Sequence, residues 1–84
     1  MDHHSRALID YMNKSIPGLV SATLQGQHGL ITDSVRVTSL EVDGYYVISD
    51  GKYYFLNFDN SCKTWGDYKN ELLAHVRVYR KFLI

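Results

Sequence analysis

The spacing of apolar residues changes character along this chain, and the changes mark its elements. Near the start, Leu8, Tyr11, Met12 and Ile16 recur at intervals of three and four, which predicts a short amphipathic helix capped by Asp2 or Ser5. Arg6, Asp10 and Lys14 fall on its other side at i, i+4 spacing, and Pro17-Gly18 stops it because proline cannot continue the hydrogen-bond ladder. Between Leu19 and Leu24, Val20, Ala22 and Leu24 alternate with Ser21 and Thr23, the spacing of a half-buried strand. Gln25–Gly29 then reads as a loop, and Leu30–Ser34 as loop or strand entry.

The middle of the chain is the most legible. Ser34–Val42, Tyr45–Ser49 and Lys52–Phe58 are rich in β-branched and aromatic residues, and Asp43-Gly44 and Asp50-Gly51 separate them. Asp-Gly between such runs signals a two-residue hairpin turn, so the three runs predict an antiparallel meander. After Asn60-Ser61, Trp65, Tyr68, Leu72, Val76, Tyr79 and Leu83 form one stripe of a long helix. Thr64 and Asp67 resemble a weakened capping box at its start, while the β-formers in Val76–Ile84 leave helix or strand open at its end. The expected order is α-β-β-β-β-α: a single two-layer α+β domain over residues 1–84, with an antiparallel four-stranded sheet and helices mainly on one face.

Pairing across two-residue turns sorts the side chains. If Val42 pairs with Tyr45 and Val47 with Tyr54, one face carries Leu40, Val42, Tyr45, Val47, Tyr54, Leu56 and Phe58. The other carries Glu41, Tyr46, Ile48, Tyr53, Phe55 and Asn57. Val35 and Val37 have the wrong parity for the first face, which predicts a β-bulge near Thr38-Ser39. Two helices cover a four-stranded sheet once, so Tyr46, Ile48, Tyr53 and Phe55 are left as an uncovered patch. Helices placed one on each face would bury both sets instead.

Composition narrows the classes of function. Hydrophobic residues make up 45% and charged residues 21%, an ordinary globular balance. Nine Lys/Arg offset nine Asp/Glu, so the whole-molecule field draws in neither nucleic acid nor an anionic membrane. No apolar run approaches a membrane span and no secretory signal is apparent; with a single cysteine, Cys62, the expectation is a cytoplasmic protein without a membrane role.

Candidate chemistry is sparse. His3 and His4 are neighbours that cannot converge on one metal from a helix, and Asp2-His3-His4 matches a phosphoesterase motif in letters only. Glu71 and His75 lie four apart and could share a metal or a hydrogen bond, with a plain surface pair as the simpler reading. Cys62, near a helix start, is either a thiol of lowered pKa or a structural one. The carboxylates have turn and capping roles, so no catalytic residue, metal or cofactor is expected. Residues 61–84 carry five Lys/Arg against two acids, a local +3, and Arg77, Arg80 and Lys81 around Tyr79 could meet phosphates. Complementing the helix dipole accounts for the same charges.

The expectation is a small non-enzymatic protein that binds another protein through Tyr46, Ile48, Tyr53 and Phe55, as a stand-alone inhibitor or adaptor. Mobile-element inhibitors of host defence, anti-CRISPR proteins among them, are often this small. The same patch could pair two copies in a homodimer. A nucleic-acid-binding accessory protein using Arg77, Arg80 and Lys81 is the alternative from a different class.

Overall fold

A computed structural model of the chain describes residues 3–83. Its order is α1 (His3–Ser15), α2 (Pro17–His28), β1 (Arg36–Glu41), β2 (Gly44–Ser49), β3 (Lys52–Asn57) and α3 (Trp65–Tyr79), with a final 3-10 turn at Arg80–Phe82. The sheet is antiparallel with strand order β1-β2-β3. The fold is therefore α+β, with three strands among the described residues where four were expected.

The difference lies at α2. Pro17, which ends α1, is also the first residue of α2, where its missing N–H costs nothing. Leu19, Val20, Ala22, Thr23 and Leu24 are all buried, because α2 packs against β1, β3, α1 and α3. A helix buried on several sides has no single apolar stripe, and Val20, Ala22 and Leu24 then mimic strand alternation. The hydroxyl of buried Thr23 donates to the Leu19 carbonyl, 2.8 Å away, as a helical Thr does. The expected loop at Gln25–Gly29 is the last turn of this helix, closed by Gly29 in the left-handed region with its N–H on the Gln25 carbonyl. Ser5 falls inside α1 rather than capping it, and Asp2 lies outside the described residues.

The second hairpin follows the expected register: Val47 pairs with Tyr54 and Tyr45 with Leu56. Asp50 and Gly51 both have positive φ, 52° and 80°, as a type I′ turn requires. The first hairpin turns one residue earlier. Glu41 pairs with Gly44 and Leu40 with Tyr45, so Val42 and Asp43 form the turn and Val42 is exposed rather than in the core. Gly44 serves close approach here: a Cβ on it would run into the Leu56 carbonyl and lie 2.7 Å from the Phe55 ring. The register shift between Val37 and Ser39 is the bulge expected at Thr38-Ser39, and it puts Val37 and Leu40 on one face.

The core gathers Val37, Leu40, Tyr45, Val47 and Leu56 from the sheet with Leu8 and Met12 of α1, Val20 and Leu24 of α2, and Leu72 of α3. α3 begins with a full capping box, the Thr64 side chain accepting from the Asp67 N–H and Asp67 from the Thr64 N–H. It stays helical to Tyr79, which settles its end. Its buried residues are Glu71, Leu72 and His75, so only part of the predicted stripe faces inward; Trp65, Val76 and Leu83 are exposed. Tyr79 and Phe82 close over Gly26, where any Cβ would strike the Tyr79 ring.

Candidate functional site

Pairing across the sheet brings the four predicted patch residues onto one face. Ile48 lies opposite Tyr53, with Arg36 beyond it on β1, and Tyr46 lies opposite Phe55. The Tyr46 and Phe55 rings meet edge to face with centroids 4.8 Å apart, a favoured aromatic geometry. Tyr53 is 65% exposed and Tyr46 41%, while Ile48 and Phe55 are half-buried. None of the four joins the core cluster. The missing Cβ of Gly44 gives the Phe55 ring its place, a link that Asp-Gly read as a turn signal conceals.

Helix side chains bond to backbone groups on each edge of this sheet. On β1, the Val37 N–H donates to Asn13 Oδ1 at 2.8 Å and the Val37 carbonyl accepts from Asn13 Nδ2 at 3.1 Å. On β3, the Asn57 N–H donates to Gln27 Oε1 at 2.8 Å and its carbonyl accepts from Gln27 Nε2 at 3.0 Å. Each amide thus reproduces the two bonds of a neighbouring strand. The ring of His28 adds a 2.8 Å contact to the Phe55 carbonyl, with Nε2 as donor.

The residues weighed for catalysis are absorbed by the fold. Glu71 accepts from the Asp59 and Asn60 N–H groups at 2.7 and 3.1 Å and from the Asn60 side chain at 3.2 Å. Burial pushes its carboxyl up, but those bonds prevail and hold it below the usual range. His75 donates from Nε2 to the Asn57 carbonyl at 3.0 Å and packs against Tyr45, Phe58 and Tyr79. Burial lowers its pKa, and its Nδ1 is buried without a hydrogen-bond partner. Glu71 therefore serves backbone amides and His75 a backbone carbonyl. Cys62 is buried with its thiol pushed up to about 11 by burial first and by the nearby Glu71 and Asp67 charges, the opposite of an activated nucleophile.

Arg77 is exposed in the last turn of α3, and Arg80 and Lys81 lie in the 3-10 turn, with the Lys81 ammonium 5.2 Å from the centre of the Phe82 ring. These three form a basic end to the helix, separate from the sheet-face aromatics. A second apolar surface escaped the sequence reading. A cleft of about 440 Å³ opens among α1, the start of α2 and α3, with Tyr11, Trp65, Leu73 and Val76 along it. Its signal was the exposed half of the α3 stripe, but Leu19–Leu24 read as a strand hides the helix whose start, at Leu19, adds to its floor.

Among the described residues, no helix is long and apolar enough to cross a membrane. In comparisons with known proteins, no family model matches the chain and no curated protein is significantly similar to it.

Proposed function

We propose that the chain is a non-catalytic protein-binding module, a stand-alone inhibitor or adaptor, whose contact surface is the sheet face of Tyr46, Ile48, Tyr53 and Phe55. The observation that carries this reading is the exposure of Tyr46 and Tyr53 on a face whose opposite side holds the whole core. Tyrosine and phenylalanine supply large, stiff contact area and are enriched at interface centres. The inward commitment of Glu71, His75 and Cys62 supports binding over catalysis. An inhibitor of host defence carried by a mobile element, the anti-CRISPR class included, is one biological setting that suits a small binder of this kind.

The test is capture from nuclease-treated lysate of the native host by tagged wild type beside Tyr53→Ser/Phe55→Ser, with Tyr46→Ser/Tyr53→Ser as a gentler second variant. Circular dichroism establishes that both stay folded. One protein held by wild type and lost by both variants supports the reading. A partner held equally by all three overturns the assignment of the face. A wild-type dimer that both variants dissolve makes the face a homodimer seam instead. Recovery of nucleic acid from untreated lysate, weakening steeply with salt, transfers the function to Arg77, Arg80 and Lys81.

A further inference from the structure

The cleft among the helices lies on the other side of the core from the open sheet face. Its floor is Leu8, Leu19 and Leu72, all buried; its rims are Tyr11 on α1 and Trp65, Leu73 and Val76 on α3. Tyr11, Trp65 and Leu73 are each about half exposed, at 52%, 50% and 49%. The α3 wall from Trp65 to Val76 runs about 16 Å, or three helical turns. Exposed apolar surface concentrated in one cleft marks an interaction site.

What fits there is set by what the walls lack. They are helix surfaces whose backbone groups are bonded within the helices, so they present no ladder to an extended peptide. A helix brings its own backbone already satisfied and needs only apolar side chains at i, i+3, i+4 and i+7 to fill such a cleft. Charge sets the second requirement. Among the described residues, Lys69 is the sole charged residue of the lining. Both acids of α3 are turned to internal work, Asp67 in the capping box and Glu71 on the Asp59–Asn60 backbone, while Lys63, Lys69 and Arg77 are exposed. Those two acids keep their charge, but residues 61–84 carry five Lys/Arg against them, so the segment that builds this wall is net positive. A second copy is a poor occupant, since a two-fold axis through the cleft would bring Lys69 towards its own equivalent.

We propose that this cleft docks an acidic amphipathic helix of a partner protein, giving the molecule a second binding surface beyond the sheet face. Trp65, the only tryptophan of the chain, lines the cleft and reports on it directly. The probes are two helix-stabilised peptides without aromatic residues, each with leucines at i, i+3, i+4 and i+7. One is flanked by glutamates, the other by lysines. The glutamate peptide is expected to shift Trp65 emission saturably at one-to-one stoichiometry, about fivefold more tightly than the lysine peptide, the size of a rim charge effect. Lys69→Glu should reverse that order. Leu73→Glu, at an exposed position that leaves the fold intact by circular dichroism, should abolish the shift.

Absence of a saturable shift with either peptide overturns the proposal, as does equal affinity for both. A shift with sodium decanoate but neither peptide would make the cleft a small-amphiphile site. A concentration-dependent dimer dissolved by Leu73→Glu would make it a contact between copies. Either result also overturns the proposal.

Discussion

Gly18 and Gly26 share helix α2 but meet different neighbours, and the contrast makes a test of sign. A Cβ at Gly18 would sit 3.8 Å from the Leu83 side chain, an ordinary contact, so Gly18→Ala should stabilise by about 0.4–1 kcal/mol through the unfolded chain. At Gly26 the same methyl would displace Tyr79, so Gly26→Ala should cost roughly 1–3 kcal/mol as overpacking does. Urea unfolding of the two variants checks both signs. The titrating residues give a second prediction. His75 and Glu71 both have folded pKa values below their ordinary 6.5 and 4.5. In each case the unfolded chain binds the proton more readily, so stability is whole above the ordinary value and is lost as pH falls through the folded one. The urea midpoint should drop first below about pH 6.5 and again below about 4.5, and His75→Gln should remove the first drop alone. Cys62 gives a third: its buried thiol should resist a disulfide reagent at pH 8 in the native protein and react at once in urea.

At the scale of elements, the sheet is made safe by two helix amides. A three-stranded sheet has two open edges, and open edges invite pairing with other chains. Asn13 and Gln27 each occupy both backbone groups of one edge residue. Replacing both with leucine should leave circular dichroism near native at low concentration. It should also produce light scattering and thioflavin binding as concentration rises, which the single variants show less. The β2–β3 hairpin was legible because Asp50-Gly51 and the flanking alternation act locally. The bulge at Thr38 was legible from parity alone, since Val37 and Leu40 must both reach the core. The β1–β2 turn was off by one residue because Gly44 is needed for the closeness of Leu56 and Phe55, a contact between strands that spacing does not encode. The capping box was visible as Thr64 and Asp67 at the right separation, and its letters were enough.

For the whole molecule, the consequence is two surfaces separated by one thin core. The open sheet face and the helix cleft share no residue, so substitutions in one should leave the other intact. Leu73→Glu should leave capture by the sheet face unchanged, and Tyr46→Ser/Tyr53→Ser should leave the Trp65 titration unchanged, as distant independent sites behave. The sequence alone determined what rests on near neighbours: the meander, the type I′ turn, the helix cap, the bulge and the facing of Tyr46, Ile48, Tyr53 and Phe55. Those follow from strand parity and turn chemistry, which act over a few residues. Only tertiary structure decided that residues 17–28 are a helix, because its burial on several sides erases the period that would reveal it. Tertiary structure likewise turned Glu71, His75 and Cys62 inward, and left the cleft open where α1 and α3 stand apart over α2, since what covers a side chain depends on elements far from it in the chain.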